Sequence, residues 1–130
     1  MRIFLVDDNA TIRAHLRAVL EQAAEWVVVG EAANGREAVE TWRECAPDVT
    51  VMDFWMPEMD GLEAARRLSK RNPEAPILMV TSDPSLQLEE EAKKVGIRGL
   101  CPKSDVRSLL KAVEALLRGQ TYFHWDVAAA

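Results

Sequence analysis

The stretch VTVMDFWMPEMDG, residues 49–61, carries a short apolar run into Asp53 and then into a loop with a proline, two further acids and a glycine. An apolar run of this length indicates a strand that is buried on both faces. Burying a charge without a partner costs free energy, so Asp53 at the end of such a strand requires compensating groups. Other segments of the chain must therefore bring polar side chains to it.

Similar apolar runs recur along the chain and alternate with helical patterns. The predicted strands cover residues 3–6, 26–29, 49–52, 77–80 and 97–101. The predicted helices begin near Asn9, at Asn34 and Asp60 with a glutamate three residues after each, at Asp83-Pro84, and at Val106, which opens a helix ending before Gly119. Strict alternation of five strands and five helices predicts an α/β fold with one parallel, doubly wound sheet covered by helices on both faces.

The composition narrows the classes of function. The 130 residues are enough for one domain with its own core. With 16 basic and 21 acidic residues and a formal net charge of −5, the chain lacks the basic surface that binds nucleic-acid phosphates. No apolar run reaches the length of a membrane span, and a strand begins directly after Met1, which predicts a cytoplasmic chain with no membrane contact. Cys45 and Cys101 show no CxxC spacing and are expected to be buried, reduced thiols.

Polar residues follow four of the five predicted strands. They are Asp7 and Asp8 after the first strand, Asp53 after the third, Thr81 and Ser82 after the fourth, and Lys103 after the fifth. In a doubly wound sheet, ligands bind beyond the carboxyl ends of the strands. Three carboxylates, a hydroxyl and an ammonium group are therefore expected along one edge of the sheet.

This set of groups suits a divalent cation and a phosphoryl group. Neighbouring carboxylates repel one another unless some are protonated or a cation lies among them. Mg²⁺ prefers such oxygen ligands, whereas zinc would need histidine or cysteine, and neither His15 nor His124 belongs to this edge. A carboxylate beside a cation and a lysine is also typical of attack on a phosphoryl group, which makes Asp53 a candidate nucleophile.

The ordered set of motifs resembles the receiver domain of two-component response regulators. The matching residues are Asp7-Asp8, Asp53 with Met56-Pro57 and Asp60-Gly61, Thr81 and Lys103. The resemblance covers residues 1–119 and implies a flavodoxin-like (βα)5 fold with strand order 2-1-3-4-5. The tail, residues 120–130, resembles the start of the linker to a LuxR/NarL-type helix-turn-helix output domain.

The resemblance implies a phosphoacceptor and a metal site. Asp53 would accept a phosphoryl group from a sensor histidine kinase. Asp8, Asp53 and the backbone carbonyl of Trp55 would bind Mg²⁺ directly, and Asp7 would act mainly through a bound water. These roles belong to the family and are carried over to the matching positions.

The resemblance also implies a switch. Lys103 would pair with one phosphoryl oxygen, and Thr81 would move toward another, which shifts the loops around strands four and five. The outcome is a switched interaction surface rather than a released metabolite, so the chain is not expected to be an enzyme.

Three further positions bear on that switch. Receivers commonly carry Tyr or Phe at the position of Leu100, where the ring rotates inward when the threonine moves, and leucine cannot report the switch in that way. Trp55, two residues after the acceptor, and Asp83, in the loop after strand four, are hypothesised to set the lifetime of the phosphorylated state. The alternative for Trp55 is a partly exposed packing residue.

One expected function is control of a DNA-binding output domain, and only that domain would contact DNA. Other functions stay open beside it. A stand-alone receiver would act on a protein partner, and a receiver with degenerate switching would serve for docking or homodimerisation. A phosphohydrolase with an aspartyl nucleophile is expected to carry two acids spaced by one residue after strand one, a spacing that residues 7–9 lack. A nucleotide-binding module needs a glycine-rich loop there, and residues 7–11 contain no glycine.

Overall fold

The structure, a computed structural model, describes residues 1–123, and the end of the predicted linker, residues 124–130, lies outside the described residues. The strands are β1 (Arg2–Val6), β2 (Val27–Ala32), β3 (Val49–Asp53), β4 (Ile77–Thr81) and β5 (Gly99–Pro102). The helices are α1 (Ala10–Leu20), α2 (Gly35–Cys45), α3 (Gly61–Arg71), α4 (Leu86–Lys94) and α5 (Val106–Leu117). All strand pairs are parallel and their order is β2-β1-β3-β4-β5, which confirms the predicted fold and strand order. None of the helices described over residues 1–123 has both the length and the apolarity to cross a membrane.

Each helix begins after a residue whose side chain accepts a hydrogen bond from the backbone N–H three positions further on. These N-cap residues are Asn9, Asn34, Asp60, Ser85 and Asp105. The predicted start of α4 at Asp83-Pro84 is wrong, because Ser85 is the cap and the helix begins at Leu86. Asp83 belongs instead to the turn after β4, where its N–H donates to Thr81 Oγ1.

Every strand differs from its predicted bounds by at least one residue, and two of them, β2 and β5, differ by two or more at one end. β2 extends to Ala32 because it pairs with β1 as far as Val6. β5 begins only at Gly99, because the N–H of Ile97 closes the end of α4 by donating to Ala92 O at 3.0 Å.

Alternate strand residues point to two apolar cores, one on each face of the sheet. α2, α3 and α4 pack on the face that carries Phe4, Met52 and Met79. α1 and α5 cover the opposite face. Cys101 is buried as predicted, whereas Cys45, the last residue of α2, is only half-buried.

The first residues of the tail extend the sheet beyond β5. Tyr122 forms an isolated parallel bridge with Gly99, and its carbonyl oxygen accepts the N–H of Leu100 at 2.9 Å. Phe123 packs against the core on the α4 side, and its ring centroid lies 4.6 Å from Lys93 Nζ. The segment that leaves α5 is therefore bound to the outer edge of the sheet and to α4.

Candidate functional site

The carboxyl ends of four strands bring the predicted site residues to one edge of the sheet. Asp7 directly follows β1 and is fully buried, and Asp53 ends β3 with 3% of its surface exposed. Thr81 ends β4 and is also buried. Lys103 directly follows β5, and its Nζ lies 2.7 Å from Asp7 Oδ2 and 3.0 Å from Asp53 Oδ2. Two buried carboxylates therefore share one ammonium group.

The three predicted acids form a compact group of oxygen donors. Asp7, Asp8 and Asp53 each offer a carboxylate oxygen, and these oxygens lie within 4.8 Å of one another. Asp7 Oδ2 is buried, and Lys103 Nζ reaches it at 2.7 Å in an ion pair. Because the same ammonium also contacts Asp53, two buried carboxylates depend on a single cation, and a second cation would reduce their repulsion. Two buried donors and an exposed one fit a hard cation that keeps several waters, such as Mg²⁺.

The electrostatics of the group leave negative charge uncompensated. Burial raises the pKa of Asp53, and the charges of Asp7 and Asp8 raise it further, while the hydrogen bond from Lys103 acts in the opposite direction. Burial lowers the pKa of Lys103, but its hydrogen bonds with Asp7 and Asp53 outweigh burial, so the net pKa is raised. Lys103 is thus held as a cation, yet one cation does not bring the pKa of Asp53 down to its ordinary value. An additional positive charge is favoured at this site.

The loop after β3 is packed directly against the backbone of Asp53. The N–H of Gly61 donates to Phe54 O at 2.9 Å, and a Cβ atom at Gly61 would lie 2.5 Å from the Asp53 carbonyl oxygen. Glycine is therefore required for this close approach. Asp60 caps α3 by accepting the N–H of Glu63 at 2.9 Å. The Asp-Gly pair of the motif fixes the turn that leads from Asp53 into α3.

The ends of β4 and β5 are joined next to the acids. The N–H of Lys103 donates to Thr81 O at 2.8 Å. The hydroxyl of Thr81 accepts the N–H of Asp83 at 3.2 Å, which holds the turn after β4. A displacement of Thr81 must therefore alter contacts both in this turn and at Lys103.

The three predicted switch positions differ in exposure. The side chain of Trp55 is 70% exposed, and its ring meets Phe54 edge to face with a centroid distance of 5.3 Å. Asp83 is exposed in the turn after β4. Leu100 is fully buried in the core on the α4 side and does not reach this edge.

Sequence reasoning missed two residues that hold Asp7 in place. The backbone N–H of Asn9 donates to Asp7 Oδ1 at 2.9 Å. Arg13 Nη1 donates to the Asp7 carbonyl oxygen at 2.7 Å, and Arg13 Nε contacts Glu31 Oε1 at 3.2 Å. An arginine in the helix that starts directly after two acids is the one sequence signal for this contact.

Comparison with known proteins gives concordant matches. A family model of the response regulator receiver domain matches residues 3–114. Chemotaxis protein CheY of Thermotoga maritima is 38% identical over 115 residues, which cover 88% of this chain and 93% of CheY. The transcriptional regulatory protein YdfI of Bacillus subtilis is 31% identical over 127 residues, which cover 97% of this chain. The chain spans 59% of the length of YdfI.

A solved structure agrees with these sequence matches. The two-component response regulator of the LuxR family from Aurantimonas sp. SI85-9A1 superposes with a TM-score of 0.93 at 36% identity. The match covers 98% of this chain and 92% of that chain. Similarity in sequence and in fold therefore extends over nearly the whole chain.

Proposed function

The chain belongs to the response regulator receiver domain family of two-component systems, and on this premise we propose that Asp53 accepts a phosphoryl group from a sensor histidine kinase. One observation carries the proposal: Lys103 Nζ contacts two buried carboxylates, at 2.7 Å on Asp7 and 3.0 Å on Asp53. The free energy that a buried ion pair gains by attraction is largely cancelled by the cost of removing its charges from water, so stability alone does not explain this arrangement. The same arrangement suits phosphoryl transfer, in which catalysis is mostly positioning and neutralisation of oxygen charge.

The proposed reaction is an in-line displacement at phosphorus. A carboxylate oxygen of Asp53 forms a new bond to phosphorus while the bond from phosphorus to the imidazole nitrogen of the kinase phosphohistidine breaks. The nitrogen keeps the bonding electron pair. Negative charge is spread over the three equatorial phosphoryl oxygens, and the ammonium of Lys103 lies close enough to Asp53 to donate to one of them.

The proposal includes a Mg²⁺ site. Asp8, Asp53 and the backbone carbonyl of Trp55 would hold the ion, and Asp7 would act through a bound water. When bound, the ion supplies positive charge that offsets the repulsion among the carboxylates and the charge of the phosphoryl oxygens. The sharing of one ammonium by buried Asp7 and Asp53 and the short separations within the acid group support this assignment.

The switch follows from contacts at the ends of β4 and β5. The Thr81 hydroxyl would turn to donate to a phosphoryl oxygen and so loosen its contact with the N–H of Asp83. Because the N–H of Lys103 is bonded to Thr81 O, the turns after β4 and β5 would move together. Leu100 is buried aliphatic core, so this movement of the turns, and not rotation of a ring at position 100, would change the surface.

We assign the lifetime of the phosphorylated state to Trp55 and Asp83. Both lie in exposed positions of the loops that follow Asp53 and Thr81. An exposed indole at the mouth of the site would govern the approach of water to the aspartyl phosphate, and Asp83 would add negative charge there.

The proposed output is control of transcription. YdfI, a transcriptional regulatory protein, continues well beyond the region it shares with this chain. On this proposal residues 1–119 are the receiver, residues 120–130 begin the connection to a DNA-binding domain, and the protein acts in the cytoplasm without turning over a substrate.

One observation favours a second candidate. The match to CheY covers 93% of that protein, which is a receiver-sized chain. CheY thus shows a relative made up almost wholly of the shared region, and the second candidate is a stand-alone receiver that acts on a protein partner or through homodimerisation. The natural reading frame of the gene distinguishes the two, because the first candidate requires an output domain after residue 130.

Mass measurement after treatment with acetyl phosphate and Mg²⁺ tests the chemistry. The parent chain should gain the mass of one phosphoryl group, and the Asp53→Ala variant should gain none. Asp60→Asn is a matched control, since Asp60 is an exposed acid seven residues further on, whose role is to cap α3. An equal gain in the parent and Asp53→Ala would contradict the proposal.

A further inference from the structure

The peptide that joins Asp7 to Asp8 is held by an arginine. The Asp7 N–H donates to Ala32 O at 3.1 Å, which continues the pairing of β1 with β2. The pairing of β1 with β3 ends at Val6, one residue before Asp7. The Asp7 carbonyl oxygen instead accepts a hydrogen bond from Arg13 Nη1 at 2.7 Å. A buried backbone carbonyl needs a partner, and Arg13 is the partner for this one.

Arg13 is itself fixed in position. Its Nε contacts Glu31 Oε1 at 3.2 Å, and the other oxygen of Glu31 contacts Arg17 Nη1 at 2.7 Å. The side chains of Arg13 and Glu31 are largely buried, at 19% and 27% exposure. A guanidinium is planar and presents its N–H groups in a rigid fork, so anchoring one edge on Glu31 fixes the direction of the edge that meets Asp7.

The two acids depend on this peptide to different degrees. The Asp7 side chain is buried and held by the Asn9 N–H and by Lys103. The Asp8 side chain is exposed and makes no hydrogen bond or ion pair with the rest of residues 1–123, so its place beside Asp53 depends on where its backbone lies. Rotation of the Asp7–Asp8 peptide would swing the Asp8 carboxylate away from Asp53.

We propose that Arg13 is a positioning residue for the metal-binding carboxylates: it fixes the Asp7–Asp8 peptide, with Glu31 as its anchor, so that Asp8 faces Asp53. The inference rests on the proposed function, because it assigns these carboxylates to Mg²⁺. Within residues 1–123, the polar contacts of the Arg13 side chain are the Asp7 carbonyl and Glu31, so Arg13 is not itself a ligand.

The sign of the effect separates positioning from charge. If Arg13 acted only through its positive charge, its removal would strengthen the binding of a cation. If it positions Asp8, its removal weakens binding. Outer residues that orient metal ligands typically contribute tenfold or more to metal affinity, so we expect Arg13→Gln to weaken Mg²⁺ binding by roughly tenfold.

Arg17 provides the matched control. It lies one turn along α1, carries the same charge and contacts the same Glu31, but it does not touch Asp7. Arg17→Gln should therefore leave the affinity for Mg²⁺ unchanged. Arg13→Lys keeps the charge but reaches only one of the two partners, so its affinity should lie between those of the parent and Arg13→Gln.

Mg²⁺ titration followed by the amide chemical shifts of Asp8 and Asp53 tests the inference, with circular dichroism of each variant as the check on folding. The expected order of affinity is parent equal to Arg17→Gln, then Arg13→Lys, then Arg13→Gln. Unchanged or tighter binding by Arg13→Gln, or an equal loss in Arg17→Gln, would overturn the inference and leave the phosphoacceptor proposal standing. If Arg13→Gln fails to fold, parent-like affinity in Arg13→Lys would overturn it. A parent chain that binds no Mg²⁺ would overturn the proposed metal site and this inference together.

Discussion

The site has two halves that are held to very different degrees. The acid half consists of Asp7, Asp8 and Asp53 at the ends of β1 and β3, where backbone groups are fixed by Arg13 and by the close approach of Gly61. The hydroxyl half consists of Thr81, the turn after β4 and α4. Segments with few buried contacts open most easily. We infer that the acid half is the fixed reaction site and the hydroxyl half is the part that moves.

The helices that follow the two halves show the same contrast. The loop after Asp53 leads into α3, which buries Gly61, Ala64, Ala65 and Leu68. α4 is a nine-residue helix that buries Leu88 and Ala92, and the turn before it is held by the hydroxyl of Thr81. On the proposed function, packing is thus dense where charge would be held and sparse where a charge change would be converted into movement.

Removing the shared ammonium should have the largest effect on the free energy of unfolding. Lys103→Met leaves Asp7 and Asp53 buried without their cation, and breaking a buried ion pair in this way costs about 3 kcal/mol or more. Urea unfolding at neutral pH without Mg²⁺ measures this loss, and added Mg²⁺ should recover part of it because the ion binds the folded state.

Lys70→Met is the control for Lys103→Met, since Lys70 is an exposed lysine of α3. Its free energy of unfolding should stay close to that of the parent. An equal loss of unfolding free energy in both variants would mean that Lys103 does not offset repulsion between Asp7 and Asp53.

Removing one acid should have the opposite sign. Because burial raises the pKa of Asp53, the folded state binds its proton more tightly than the unfolded state, and ionised Asp53 disfavours folding above its folded pKa. Asp53→Asn should therefore raise the free energy of unfolding by about 1 kcal/mol at pH 7. The gain should shrink as the pH falls, since Asp53 is then protonated in both states.

Asp83→Asn makes the same chemical change in the hydroxyl half. Asp83 is exposed, so its replacement should leave the free energy of unfolding close to that of the parent. Thermal unfolding of both variants and the parent across the acid range, in the absence of Mg²⁺, gives the comparison. A variant Asp53→Asn that is less stable than the parent at every pH would show that Asp53 contributes net stability.

The sequence predicted which residues form the acid half, but not the contacts that hold them in place. Apolar runs mark where strands end, and parallel topology places those ends together, so Asp7, Asp53, Thr81 and Lys103 could be assigned to one edge. The contact of Arg13 with the Asp7 carbonyl could not, because it depends on the relative placement of α1 and β2. Such contacts join segments whose sequence patterns are independent.

Errors in element boundaries have similar causes. An Asp-Pro pair is a strong helix-start signal, but Asp83 lies in the turn after β4, bonded to Thr81, and the side chain of Ser85 caps the helix. The bridge between Tyr122 and Gly99 joins two short segments of weak β pattern through backbone groups, which carry no sequence signal. The roles assigned to Trp55, Asp83 and Leu100 stay predictions.

A loss of stability smaller than that of Lys103→Met is expected where Phe123 of the tail packs against α4. Phe123 packs against the core and lies under Lys93, so Phe123→Ala should lower the free energy of unfolding by about 1 kcal/mol. Hydrogen exchange should speed up for the amides of α4 while those of β1 stay as protected as in the parent. Equal acceleration in both elements would show that the two halves open as one unit and would remove the distinction between them.

The smallest effect on stability is expected at Trp55, and it separates stability from function most clearly. The side chain is 70% exposed, so Trp55→Asn should change the free energy of unfolding by no more than about 0.5 kcal/mol. Because Trp55 lies in the loop two residues after Asp53, we expect the same variant to change the rate at which phosphate is lost from Asp53, measured as the decay of the phosphorylated mass after removal of acetyl phosphate. Val27→Asn is the control, since Val27 is an exposed apolar residue at the opposite end of the sheet and should leave that rate unaltered. Decay in Trp55→Asn at the rate of the parent and of Val27→Asn would reduce the indole to an exposed packing residue and leave Asp83 as the candidate for control of the lifetime.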